Sequence, residues 1–253
     1  MIRLGSVPYL NAKPLLWGLR HHPDVEVRLA VPSALPAMLA AGDVDAILVS
    51  CIEALRRPDL AVIPGVGIGS TGAVWSVRLF HRVPLSEIET LCLDESSMTS
   101  NQLAQILLRE QQGIEPQTIV LPPDLPTMLE HADAAVVIGD LGMAEPPPGV
   151  AALDLGQAWT DFTGLPFVWA VWLARPDRAE ELTSVLVDSA REGTGSIQEV
   201  AQVHAADHGF TPEFAAHYFT EAIEFEFTAA HERGLARFGE LSANLRPFSP
   251  LTN

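Results

Sequence analysis

Short segments of strand length alternate with apolar stripes at helical spacing along the first part of the chain. Residues 3–7, 25–31 and 46–49 are these segments, and the unbroken apolar run 46–49 suits a strand buried on both faces. Between the first two, residues 11–22 read as a helix with Leu15, Leu16 and Leu19 on one face. Pro14 falls in its first turn, where a missing N–H is tolerated. Ser33 is expected to cap a second helix that runs to Ala41, with Gly42 as its stop. This strand–helix–strand–helix–strand order predicts a parallel, doubly wound sheet.

Two long apolar stretches, residues 72–80 (GAVWSVRLF) and 166–174 (PFVWAVWLA), read as strands. Between them lies a second α/β set, with strands at 89–93, 118–121 and 134–138 and helices at 97–111 and 126–131. Beyond Ala174 the pattern is helical, at 177–191, 196–207, 212–222 and 228–243. The expected division is a discontinuous first lobe, 1–80 with 175–253, and a second lobe, 81–174. Leaving one lobe and returning to it describes the α/β, two-lobed periplasmic-binding-protein type II-like fold, two doubly wound sheets joined by two crossover strands. Ligands of such folds bind in a cleft at the carboxyl ends of the strands.

Charge narrows the partners. The formal net charge of −17 argues against nucleic acid, whose phosphates need clustered Lys and Arg, and against anionic membrane surfaces. No apolar run is long enough to predict a membrane span. The opening MIRLGSVPYLN is broken by Gly5 and Pro8, reads as a strand and loop rather than a secretory leader, and makes a cytoplasmic location the expectation. An acidic protein that takes an anionic ligand must build its site locally, from N–H groups, hydroxyls and few cations. Cys51 and Cys92 sit in apolar runs and read as core thiols, and neither a CxxC nor a Cys/His cluster suggests a metal. No metal and no cofactor are expected.

The candidate chemistry gathers at predicted strand ends. Residues 94–100 (DESSMTS) place Ser96, Ser97, Thr99 and Ser100 at the start of a helix. Free N–H groups and the helix dipole favour an anion there, although one Ser or Thr would serve as a plain N-cap. The GxxxxGK[ST] pattern of a nucleotide loop is absent. Asn11 follows the first strand beside Tyr9 and either caps the next helix or offers its amide to a ligand, with Lys13 a nearby candidate cation. Ser50 ends the third strand, where a capping box with Glu53 is the structural alternative. In residues 65–72 (GVGIGSTG) the glycines lack dinucleotide spacing, and Ser70 is either a carboxylate donor or part of a bulged strand. Asp140 ends the strand 134–138 and is either an anchor or a contact to a ligand hydroxyl. Most aromatics of residues 154–172 are expected in the core, with one facing the cleft. None of the eight histidines sits at a predicted strand end, and GxSxG and HExxH are absent, so a histidine base is not supported.

These segments resemble the menaquinone-pathway family of chorismate dehydratases. Residues 6–15 (SVPYLNAKPL) are similar to that family's V-x-Y-L-N-x-x-P-L, and residues 45–53 (DAILVSCIE) to its strand followed by S-x-E. Residues 93–100 (LDESSMTS) resemble its D-x-S-S-x-T-S turn, 138–140 (IGD) its strand-end Gly-Asp, and 154–172 its D-L-G-x-A-W-x-x-x-T-G-L-P-F-V-x-A-x-W. Cys51 and the segment 70–72 depart from the family pattern. The resemblance implies a hydro-lyase that removes water from chorismate to give 3-[(1-carboxyvinyl)oxy]benzoate. It implies that Ser97, Thr99 and Ser100 hold one carboxylate, that Ser50 and Ser70 assist, that Asn11 positions the ring or the leaving hydroxyl, and that Asp140 contacts a hydroxyl. The competing expectations are a non-catalytic small-carboxylate binding protein of the same fold, and the sister naphthoate synthase of the pathway, for which a cleft histidine would be expected.

Overall fold

The computed structural model describes residues 1–32 and 34–245. Ser33, expected as a helix cap, lies outside them. Among the described residues the strands are β1 (Ile2–Ser6), β2 (Val25–Leu29), β3 (Ala46–Ser50), β4 (Ala61–Ser70), β5 (Val77–His81), β6 (Thr90–Asp94), β7 (Gln117–Leu121), β8 (Ala134–Ile138), β9 (Ala151–Asp154), β10 (Phe167–Ala174) and β11 (Glu224–Glu226). They form a six-stranded sheet, β11-β4-β10-β3-β1-β2, and a five-stranded sheet, β7-β6-β8-β5-β9.

Contacts divide the chain into two compact units. The first holds residues 1–70 and 168–232, the second residues 71–167 and the stretch from Arg233. In this division β5 lies with the second sheet, where it pairs with β8 and β9, and nearly all of β10 lies with the first, where it pairs with β3. The chain passes between units a third time inside the helix Ala229–Ala243.

In the first unit β1 runs parallel to both β2 and β3, with Leu4 opposite Ala46 and Ile2 opposite Val25. The central β3 is apolar on both faces, while edge strand β2 is only half-buried, as its place in the sheet dictates. At the amino ends of the central strands sits Asp45, 2% exposed. Its carboxylate accepts the Arg3 N–H at 2.8 Å and the guanidinium groups of Arg3 at 3.3 Å and Arg178 at 3.1 Å. Burial pulls the Asp45 pKa up, but the Arg3 bonds and the Arg178 charge outweigh it and hold the group below the usual carboxylate range. Arg178 belongs to the long helix Pro176–Gly195, so one carboxylate joins two strands and a helix. The Ser189 hydroxyl of the same helix donates to the Leu15 carbonyl at 2.8 Å.

The predicted helix 11–22 is interrupted. It consists of a 3₁₀ turn Leu10–Ala12, a single α-turn Lys13–Leu16 and a second 3₁₀ turn Gly18–His21. The capping box at Ser50 is not formed either. The helix Ile52–Arg56 has Cys51 at its N-cap without a side-chain bond, and Glu53 instead holds Arg56 at 3.2 Å.

In the second unit β6, β7 and β8 are parallel, and β5 runs antiparallel between β8 and β9. Phe80, Cys92, Met128, Leu129, Ala135 and Val137 form one core cluster. Trp159, Phe167 and Phe238 form another, with edge-to-face ring pairs 5.1–6.3 Å apart, each worth about 0.5–1.5 kcal/mol beyond area burial. The stretch 72–80 is not one strand. It becomes a strand only at Val77, after a turn whose backbone is bound by a distant carboxylate.

Candidate functional site

Each unit carries polar residues at the carboxyl ends of its strands. In the first unit β1 and β3 are parallel, so Ser6 and Ser50 end at the same edge. Ser50 faces Ala170 of β10, and one residue earlier the Trp169 indole N–H donates to the Ser70 hydroxyl oxygen at 3.0 Å. Ser50 and Ser70 therefore flank the start of β10. Ser70 is 1% exposed, and with an indole on its oxygen its own O–H remains a donor. Asn11 lies in the 3₁₀ turn that follows β1 and caps no helix, because that turn carries no side-chain cap bond. Its Oδ1 is buried without a hydrogen-bond partner among the described residues. An orphaned buried acceptor costs about 1–3 kcal/mol, and such a cost calls for an explanation. Lys13 is close enough to His204 to help lower that imidazole's pKa, after burial as the larger cause.

In the second unit β6 ends at Asp94, which is fully buried. Its Oδ1 accepts the Ser96 N–H at 2.8 Å and the Ser96 hydroxyl at 2.6 Å. Its Oδ2 is buried without a close hydrogen bond among the described residues. Burial pushes the Asp94 pKa up, and neither the Ser96 bonds nor the neighbouring Ile138 N–H reverses it. The Asn101 amide donates to the carbonyls of Asp94 at 2.8 Å and Ser97 at 2.5 Å and braces the turn from behind. Ser96 and Asn101 thus fix the turn. The hydroxyls of Ser97 and Ser100 bond no group among the described residues. The helix Thr99–Leu107 begins after Met98 with no side-chain cap, so plain N-capping is not what these hydroxyls do. This is an uncharged donor set on the positive end of a helix dipole.

The parallel pairing of β6 and β8 brings Asp140 to the same edge, in the first turn of the helix Gly139–Gly142. Arg78 donates to the carbonyls of Gly142 and Ala144 and closes that helix. Cys92 lies behind the edge. Burial and the Asp94 charge push its thiol up to about 11, in keeping with a core thiol. Among the described residues no group of three or more His, Cys, Asp or Glu is placed to hold a metal ion, and no helix is long and apolar enough to cross a membrane.

Two features escaped the sequence. Asp154 caps the helix Leu155–Thr163 through the N–H groups of Gly156 and Gln157, and it also accepts the N–H groups of Val74 at 3.1 Å and Trp75 at 2.7 Å. Trp75 itself has φ +66°, the left-handed region. A bulky side chain there is an outlier costing about 1–3 kcal/mol. An Asp before Leu-Gly marks a helix cap in the sequence, but its second task spans 80 positions.

Solved structures share this fold. A protein from Archaeoglobus fulgidus, AF1704, is similar with a TM-score of 0.76 at 16% identity, covering 96% of this chain and 96% of that one. The periplasmic aliphatic sulphonate binding protein SsuA from Escherichia coli is similar with a TM-score of 0.67 at 14% identity, covering 95% of this chain and 85% of that one. The protein therefore has the periplasmic-binding-protein type II-like fold, as the order of strands and helices predicted. Within that class the assignment is narrower. The pattern of the menaquinone-biosynthesis family matches residues 2–244. A Thermus thermophilus relative named chorismate dehydratase is 31% identical over 268 aligned positions, which cover 98% of this chain and 97% of its own. The chain belongs to the menaquinone-biosynthesis family.

Proposed function

We propose that this protein is a cytoplasmic chorismate dehydratase, a hydro-lyase that converts chorismate to 3-[(1-carboxyvinyl)oxy]benzoate and water. The observation that carries the reading is the turn after β6. It offers Ser97 and Ser100 hydroxyls without partners among the described residues, at a helix start with no side-chain cap, in a chain whose relatives bear that enzyme's name. A carboxylate is held there without a cationic cluster, as an acidic protein requires.

The chemistry asks little of side-chain bases. The ring proton to be lost is conjugated through the diene to the ring carboxylate, and departure of the neighbouring hydroxyl leaves an aromatic ring. One C–H and one C–O bond break, the electron pair of the C–H bond enters the ring, and the hydroxyl leaves as water with the proton. The substrate's enolpyruvyl carboxylate, tethered by its own ether linkage, takes that proton and passes it to the departing hydroxyl, so that water leaves and the carboxylate is regenerated. The protein's part is orientation and exclusion of water. In this reading Ser97, Thr99 and Ser100 hold a carboxylate, Ser50 and Ser70 help hold the substrate, and Asn11 positions the ring or the leaving hydroxyl. The buried Asn11 Oδ1, lacking a donor among the described residues, is suited to accept from that hydroxyl. Asp140 contacts a hydroxyl.

Incubation with chorismate, followed by ultraviolet absorbance and mass, tests this. The expected result is an aromatic product lighter than chorismate by one water. Folded protein that binds chorismate and leaves it unchanged would instead make this a binding protein of the same fold.

A further inference from the structure

The turn before β5 is bent in a way its sequence does not ask for. Among the described residues eight glycines have left-handed backbone, and Trp75 is the one other residue that does. Gly72, three positions earlier, is one of those glycines, so the turn already contains the residue that such a backbone favours. Tryptophan is retained where glycine would be relaxed, and the carboxylate of Asp154 holds it by bonding the N–H groups of Val74 and Trp75. The Thr160 hydroxyl accepts the Gly72 N–H at 2.8 Å and fixes the other end. Strain maintained by several outside bonds is the pattern of a residue placed for function.

Register shows where this residue lies. Val77 opens β5 opposite Ile138, the last residue of β8. The Ile138 N–H in turn faces Asp94, the last residue of β6. The Trp75 turn therefore stands at the edge that carries Ser97, Ser100 and Asp140. At Gly142 a Cβ would strike the Ser76 carbonyl, so the turn also packs closely on the helix that carries Asp140.

We propose that Trp75 is a specificity-determining residue: its indole forms an aromatic wall at this edge and selects a planar six-membered ring bearing a carboxylate, and Asp154 is the positioning residue that holds it there. This deepens the dehydratase reading and rests on it. The hydroxyl-bearing turn binds the carboxylate, and the indole reads the flatness of the ring that the reaction makes aromatic. A ring face against an indole is worth roughly threefold to tenfold in affinity.

The test uses the whole chain and four variants: Trp75→Phe, Trp75→Gly, Asp154→Asn and the Trp75→Gly/Asp154→Asn double. Calorimetry measures binding of benzoate and of cyclohexanecarboxylate, which share charge and size but differ in flatness, and of the benzoate product. The parent is expected to prefer benzoate, Trp75→Phe to retain most of that preference, and Trp75→Gly to lose it while melting no lower than the parent. Asp154→Asn is expected to weaken the preference and to raise KM for chorismate about tenfold more than it lowers kcat. In the Trp75→Gly background the same change is expected to leave the preference unaltered. A parent that binds both acids equally, or a Trp75→Gly variant that keeps the preference, overturns the proposal. A parent that prefers benzoate yet leaves chorismate intact overturns the dehydratase reading and leaves the aromatic wall supported.

Discussion

Two buried aspartates illustrate how differently the units use a carboxylate. Asp45, before β3 in the first unit, is surrounded by Arg3 and Arg178, and both of its oxygens are bonded. Asp94, at the end of β6 in the second unit, has one oxygen on Ser96, the other without a close hydrogen bond among the described residues, and no cation beside it. Both are hidden from solvent, 2% and 0% exposed, yet the pKa of one falls and that of the other rises. At Asp45 two arginines outweigh burial, whereas Asp94 is more deeply enclosed and has only the uncharged Ser96 and backbone donors against it. Position then separates their roles. The paired group lies at the amino ends of strands, where it ties β1, β3 and a helix together. Among the described residues seven buried side-chain polar atoms lack a hydrogen-bond partner, and three of them, Asn11 Oδ1, Asp94 Oδ2 and Asn101 Oδ1, lie at or just beyond the carboxyl ends of β1 and β6, the end at which ligands of this architecture bind.

The largest expected effect comes from breaking the paired carboxylate. Asp45→Ala leaves two guanidinium groups facing a buried gap and is predicted to cost about 3 kcal/mol, the lower end for a broken buried pair because both arginines are partly exposed. Urea denaturation measures it. The sign with pH follows from the lowered pKa. The contribution is full above the ordinary carboxylate range and is lost as pH falls through the depressed value. Parent and Asp45→Asn unfolding curves should therefore converge in acid. Equal stability of the two at pH 7 would show that the arginines are solvated without the carboxylate.

Asn11→Ala sharpens the contrast from the other side. If the orphaned amide serves substrate, its removal is predicted to lower kcat about 100-fold, on the scale of losing one positioned polar contact to the reacting groups, and to leave stability within about 1 kcal/mol. A variant with full turnover would remove Asn11 from the mechanism. A variant that loses stability and activity together would place Asn11 with Asp45 as a structural group.

The same division between local and distant bonding governs how much was legible in the sequence. β3 and β8 were readable because strands buried on both faces leave unbroken apolar runs. The glycines of residues 65–72 left a bulged strand and a donor site as alternatives, and the strand β4 spans Ala61–Ser70. It tolerates Pro64 because β11 pairs only as far as Val66, and the Phe227 N–H bonds Gly65, so no ladder bond is lost on that side. Residues 72–76 were misread as strand because Val and Trp favour strands, while the bonds that bend them come from Asp154. The hydroxyl turn after β6 was legible as a cluster. Which hydroxyls stay free was not, because it depends on Ser96 turning back to Asp94 and on Asn101 reaching across the turn.

The smallest predicted effect reverses the first one. Asp94 has its pKa raised by burial, so ionising it opposes folding. Its favourable contribution exists while it is protonated and is lost as pH rises from the ordinary carboxylate range through the raised value. Asp94→Asn keeps the size and an acceptor for Ser96 while removing the charge. It is predicted to unfold at higher urea than the parent at pH 8, by about 1 kcal/mol, the low end for an unsatisfied buried group. Near pH 4 the two proteins should unfold together, the opposite convergence from Asp45→Asn, whose deficit grows as pH rises. Activity should fall less than about threefold, because the Ser96 bonds that set the turn survive. An Asp94→Asn variant that is less stable at pH 8 would mean that Oδ2 holds a partner in solution and that the carboxylate is a structural anchor like Asp45. Unchanged stability with turnover abolished would instead bring the Asp94 carboxylate itself into the chemistry, as a charge kept near the reacting ring.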